Sequence, residues 1–275
     1  MFRILVRLFA VAVAVAGVLA LGAVLLKSPS HDRDWQTAYA RLPSASFVGD
    51  RVAVRNIRNF AYHPDGTVKH ARYYDRTYDL GRLTELWYGI SHFYDYGLAH
   101  TFLSFGFEDG ARLVVSVEAR QEIGQSYHPL TGLFRNYHLI FVLADERDVV
   151  GVRTHIRDER VYLYKIRAEQ KKVRRLLEIM LRRTNEIHAA PEFYNTITDN
   201  CTTAILEHAE RLSWFDMFFD YRILLPGYSD EVAYELGILD GNGALPELRA
   251  AARLDPARTA IDDRDFSVKI RRGRN

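Results

Sequence analysis

Cys201 is the only cysteine among 275 residues, and it stands in Phe193-Tyr-Asn-Thr-Ile-Thr-Asp-Asn-Cys-Thr-Thr203, directly after an Asp-Asn pair. A thiolate, not a thiol, is the nucleophile, and its pKa falls at the positive end of a helix and beside a histidine. Asp199 or Asn200 is a natural N-cap, so Cys201 is expected in the first turn of a helix. Ile205, Leu206, Ala209 and Leu212 then fall on one side of that helix, with Glu207, Glu210 and Arg211 on the other. Nucleophilic chemistry would further need an imidazole and a group that holds the ring in its useful tautomer. The alternative is a buried cysteine that serves only as a small hydrophobe.

Of the ten histidines, His100 has the most suggestive surroundings. The run His100–Arg120 reads as two strands around Glu108-Asp109-Gly110. A three-residue loop with Gly110 in the left-handed position places His100 opposite Glu118, Phe102 opposite Ser116 and Ser104 opposite Val114. One face then collects Thr101, Leu103, Phe105, Leu113, Val115, Val117 and Ala119, and the other His100, Ser104, Ser116 and Glu118. A two-residue Asp109-Gly110 loop would mix polar and apolar residues on both faces, because a one-residue slip exchanges the faces of a strand. The other reading of His100 is a strand-edge histidine facing water. His208 is seven residues along the cysteine's own helix, about 10 Å away along the axis, too far to act. His92 sits in an aromatic run that suits packing or exposure, and His128, His138, His155 and His188 have no distinguishing polar setting.

Strands are further expected over Asp50–Phe60, with an irregularity, over Tyr137–Leu143 and over Arg160–Ile166, with turns at Pro64-Asp65-Gly66 and Ala144–Asp148. Tyr73, Tyr74 and Tyr78 suit an aromatic-lined extended segment packed on the core, or a substrate groove. Val173, Leu176, Leu177, Met180, Leu181 and Ile187 recur at helical spacing between Ala168 and His188, and the basic residues elsewhere in that stretch suit a solvated face, the preferred reading, or contact with anionic lipid headgroups. Shorter helical pieces follow Pro226-Gly227, and the polar run Lys269–Asn275 reads as frayed.

Residues 8–26 carry no charge, with Arg3 and Arg7 before them and Lys27 after. Nineteen residues at about 1.5 Å each suffice for a hydrocarbon core of roughly 30 Å. An uncleaved single-pass anchor is preferred to a cleaved signal, whose apolar stretch is shorter. Basic residues ahead of the span put the N-terminus in the cytoplasm and the rest of the chain outside it. One cysteine forms no internal disulfide in such a compartment. A formal net charge of +2, from 37 basic and 35 acidic residues, leaves no footprint for nucleic acid. No HExxH, CxxC, glycine-rich phosphate loop or GxSxG elbow occurs, so neither a metal nor a cofactor is expected.

Several motifs together resemble a known family: Arg58-Asn-Phe60, Ala99-His-Thr-Phe-Leu-Ser-Phe105, Ser116-Val-Glu-Ala-Arg120, Gly132-Leu-Phe-Arg135, Asp145-Glu-Arg-Asp-Val149 and the Phe193–Thr203 stretch. The combination resembles the Lnb N-terminal periplasmic domain family over roughly Asp50 to Tyr228. That family takes its name from a membrane transacylase that forms lyso-form bacterial lipoproteins. The cysteine signature after a histidine-bearing strand is also similar to permuted papain-like and NlpC-like enzymes. The resemblance implies Cys201 as nucleophile, His100 as base, Glu118 or Ser116 as the group orienting it, and the Cys201 backbone N–H with Asn200 or Asn195 as oxyanion support. It implies an α+β, papain-like (permuted NlpC-like) domain with an antiparallel sheet and a nucleophile-bearing helix.

The chain thus divides into an anchor (1–27), a juxtamembrane segment (28–49), the family-like domain (50–228) and a helical extension with a polar tail (229–275). The expectation is a single-pass protein of the bacterial inner membrane with its folded part in the periplasm, a thiol acyltransferase or hydrolase acting on lipid or lipoprotein acyl groups. The lone N-terminal span, with no multi-span region, departs from the founding enzyme and leaves the acyl acceptor open. The alternatives are a cell-wall amidase or peptidase of NlpC type and a non-catalytic envelope-binding module. Oligomeric state is not readable.

Overall fold

The computed structural model describes residues 2–95, 97–196 and 220–273. Asn200, Cys201 and the helix expected to start there lie outside these residues. The strands are β1 (Ser44–Val48), β2 (Arg51–Arg58), β3 (Ala61–Tyr62), β4 (Val68–His70), β5 (Tyr73–Asp79), β6 (Leu83–His92), β7 (Ala99–Phe107), β8 (Arg112–Arg120), β9 (His138–Ala144) and β10 (Arg160–Lys165). The described helices are α1 (Phe2–Leu25), α2 (Gln170–Ala189), α3 (Tyr221–Leu224), α4 (Ser229–Glu235), α5 (Leu245–Ala252) and α6 (Phe266–Lys269), with a π-helix over Arg147–Ile156.

Eight strands form one sheet in the order β1-β2-β9-β8-β7-β6-β10, with β5 also paired to β2. Every pairing is antiparallel except a single parallel contact, Arg58 with Ala144. The architecture is therefore α+β with a mostly antiparallel sheet.

The hairpin at the centre shows why alternation decides the register. Ser104 pairs with Val114 and Leu103 with Val115, and Phe107 N–H donates to the Ala111 carbonyl at 3.0 Å across a loop of Glu108, Asp109 and Gly110. Gly110 has φ +79°, a conformation that costs glycine little and other residues more. The odd-numbered positions of both strands, Leu103, Phe105, Leu113, Val115, Val117 and Ala119, join a buried apolar cluster. Helix α2 covers that face with Val173, Leu177, Met180, Leu181 and Ile187. Each such fully buried aliphatic or aromatic side chain contributes roughly 1.5–3 kcal/mol.

The opposite face carries a smaller cluster of Phe102, Val114, Ile140, Val142, Val161 and Leu163, closed by Val149 and Val150 of the π-helix and by Phe266 and Ile270 near the C-terminus. Gly89 makes room there: a Cβ at that position would stand 2.2 Å from the Phe102 ring. Around this apolar patch lie the sheet's buried polar residues.

The irregularity expected in β2 is a register shift between Val54 and Ile57, where Asn56 has φ +58°. The sheet begins at Ser44, before Asp50, and β6 is a strand that the sequence pattern did not announce. Two expectations are corrected. Ala144–Asp148 is not simply a charged turn: Glu146 and Asp148 are each 1 % exposed, and the segment leads into the π-helix. The end of the chain is not all frayed either. Arg271 is buried because its guanidinium is drawn onto Glu146 and lies over the Trp87 ring. Among the described residues no helix is long and apolar enough to cross a membrane. Several side chains within α1, those of Leu19, Ala20 and Leu21 among them, lie outside the described set.

Candidate active site

Strand alternation brings His100, Ser116 and Glu118 onto one face. Ser116 and Glu118 are two residues apart on β8, and the register running from Ser104–Val114 carries His100 toward Glu118. The Ser116 hydroxyl donates to Glu118 Oε1 at 2.8 Å, and His100 Nε2 lies 2.7 Å from the same hydroxyl oxygen. His100 Nε2 is 3.8 Å from Glu118 Oε1, so the serine bridges imidazole and carboxylate.

A hydroxyl has one proton to give. With that proton donated to the Glu118 carboxylate, the Ser116 oxygen accepts from His100, and the neutral imidazole is the Nε2–H tautomer. Nδ1 is then the basic nitrogen. The relay fixes which side of the ring can accept a proton, as an orienting group must.

Charge state follows from the surroundings. Burial, followed by the positive charge of Arg153, lowers the His100 pKa from 6.5 to about 3 and keeps the ring neutral. For Glu118, burial favours the neutral acid, but the charges of Arg58 and Arg153, with the hydrogen bond from Ser116, outweigh it and hold the carboxyl at about 2. Arg153 Nη2 stands 3.5 Å from Glu118 Oε1, and its Nη1 donates to the Val149 carbonyl at 2.9 Å. The Arg153 Nε is 3.9 Å from Glu159, which accepts from Ser91 Oγ at 2.5 Å. Ser91 is the β6 residue paired with His100. Behind this group Arg58 Nε donates to Asp148 at 3.0 Å, while Phe60 N–H and the Tyr62 hydroxyl donate to the same carboxylate. The imidazole therefore rests on a buried and largely satisfied polar shell.

Sequence reading found His100, Ser116 and Glu118 but not Arg153, Glu159, Ser91 or Arg58 as their supports. The signal available was a serine in the apolar run Leu86–Ile90-Ser91, facing a histidine once β6 and β7 are paired. Cys201 and Asn200 lie outside the described residues. Asn195 is described: it lines an open cavity of about 380 Å³ with Lys27, Pro29, Arg135, Pro191, Glu192, Phe193 and Tyr194. His138 proves to have a polar setting after all, as its Nε2 accepts from Ser30 N–H at 3.1 Å and it packs edge-on to Trp35. Among the described residues no group of three His, Cys, Asp or Glu side chains is placed to hold a metal ion.

Comparison with curated proteins and with solved structures gave no match. A family model described as the Lnb N-terminal periplasmic domain matches residues 69–227, a stretch that includes His100, Ser116, Glu118, Arg153 and Cys201. Its description supports a periplasmic, envelope-related place for the folded part of the chain. With more than half of its length inside that match, the chain belongs to the Lnb N-terminal periplasmic domain family.

Proposed function

We propose that this protein is a membrane-anchored periplasmic thiol acyltransferase or hydrolase of papain-like type. Cys201 is its nucleophile and His100 its base, with Ser116 and Glu118 orienting the ring and Asn200 or Asn195 supporting the oxyanion. The observation that carries this reading is the His100–Ser116–Glu118 relay, in which a neutral imidazole is backed by an ionised carboxylate. In the first step Nδ1 takes the thiol proton as sulfur attacks an acyl carbonyl. Glu118, through Ser116, stabilises the imidazolium that forms. The imidazolium returns the proton to the departing alkoxide or amine, leaving a thioester on Cys201. Attack by water or by an acceptor amine then releases the acyl group and restores the thiol.

The uncharged run of residues 8–26, followed by Lys27, is the anchor in this reading and holds the site close to acyl lipid or lipoprotein. The test is intact mass after incubation with bacterial membrane lipid and lipoprotein, wild type beside Cys201→Ser. A mass gain of acyl size on the wild type alone, released by hydroxylamine, is the expected result. An equal gain on Cys201→Ser would remove Cys201 as the acylated residue.

A further inference from the structure

The connection between β8 and β9 carries three exposed apolar side chains: Ile123 at 72 %, Leu130 at 63 % and Phe134 at 57 %. From Ile123 to Phe134 it holds no Asp, Glu, Lys or Arg. A short 3₁₀ turn sets Leu130 and Phe134 about one turn apart, with the Phe134 N–H bonded to the Thr131 carbonyl at 3.1 Å. Exposed apolar side chains grouped in this way mark a contact surface.

Two observations say what covers them. The turn is tied to the end of α1, since Arg135 Nη1 donates to the Leu25 carbonyl at 3.0 Å and Lys27 Nζ reaches the Arg135 carbonyl at 3.5 Å. Leu25 and Leu26 are exposed at that junction as well. Ile123 adjoins acidic residues, Glu122 and Asp34, but the charges at the Leu130–Phe134 turn are basic, Arg135 and, through its bond to the Arg135 carbonyl, Lys27, and both line the 380 Å³ cavity. Its one acidic wall residue, Glu192, is occupied by Arg183. Apolar tips with adjoining cations, continuous with an apolar helix, fit an anionic lipid surface.

We propose that the Leu130–Arg135 turn is a second membrane contact. Leu130 and Phe134 enter the boundary between headgroups and acyl chains beside α1, Lys27 and Arg135 meet lipid phosphates, and the cavity opens onto that layer. The proposal rests on the anchored reading above. It also connects the lipid surface to the segment leading to Cys201: Thr196 Oγ1 donates to the Pro129 carbonyl at 2.9 Å, and a Cβ on Gly132 would stand 2.2 Å from the same Thr196 oxygen.

The full chain, with Cys201→Ser so that one thiol remains, is reconstituted into vesicles of phosphatidylethanolamine and phosphatidylglycerol. An environment-sensitive fluorophore is placed by Phe134→Cys, by Val13→Cys in α1, or by Val48→Cys at the exposed end of β1. The Phe134 probe should emit to the blue of the Val48 probe and be quenched by lipid spin-labelled near the headgroup. A Phe134 probe as water-like as the Val48 probe, with the Val13 probe deeply quenched, would overturn the turn contact and leave the anchor standing. A water-like Val13 probe would remove the anchor, and the Phe134 quenching alone would then decide the turn. A blue shift insensitive to spin-labelled lipid would mean that a protein surface covers the turn, which also overturns the proposal.

Discussion

The two faces of the central sheet are built from neighbouring residues of the same strands, yet they do different work. The face under α2 is dry and aliphatic, with Leu103, Phe105, Leu113 and Val115 nearly inaccessible to solvent. The face under the π-helix buries Ser104, Ser116, Glu118, Glu146 and Arg153, with His100 half-buried beside them, around a smaller apolar patch. A polar constellation of this kind is costly unless every member is paired. The dry face fixes the register, and the register delivers the polar residues to one another.

The largest expected effect sharpens that contrast on the polar side. His100→Ala should reduce thioester formation about 10²- to 10⁴-fold, the range for losing a positioned general base, with the urea midpoint serving as the check on folding. On the dry side Phe105→Ala should cost about 3–5 kcal/mol of stability, read from denaturant unfolding. Glu146→Gln should cost a similar amount, about 3–5 kcal/mol, because it strands the buried Arg271 charge. It should leave Cys201 reactivity near that of the wild type, since Glu146 belongs to the Ser104–Arg271 group and not to the His100 relay. A loss of reactivity equal to that of His100→Ala would mean that the whole polar face acts as one site.

Acid should separate the faces more gently. The folded chain keeps His100 at about 3 and His138 at about 4, both from 6.5, so the unfolded chain takes up protons that the folded chain refuses. Stability should therefore fall as pH drops below about 6.5. Glu118, lowered from 4.5 to about 2, adds to the loss as its proton is taken up below about 4.5. Urea midpoints at descending pH check this, and His100→Ala should flatten the upper part of the curve. The smallest effect belongs to the rim: Arg82→Ala, which breaks an exposed pair with Glu108, should not move the midpoint measurably.

Much of this was legible where the information is local. Alternation on both sides of Glu108-Asp109-Gly110 gives the hairpin and its faces, and helical spacing gives α2. Strand β6 was not legible, because Leu86, Trp87, Tyr88 and Ile90 are all buried, and a run buried on both faces shows no period of two. The supports of His100 were hidden for another reason. Arg58 meets Asp148 across 90 residues and Arg271 meets Glu146 across 125, and no spacing rule connects charges so far apart. Arg271 reads as part of a frayed basic tail until its partner is in view.

The most direct test of the account is the pH dependence of alkylation at Cys201, the chain's one thiol, in wild type and His100→Ala. The account predicts a wild-type profile whose midpoint lies well below the ordinary thiol value of about 8.5 and moves up toward it in the variant. Superimposable profiles in two folded proteins would contradict it, and Cys201 and His100 would then be packing residues of an envelope-binding module.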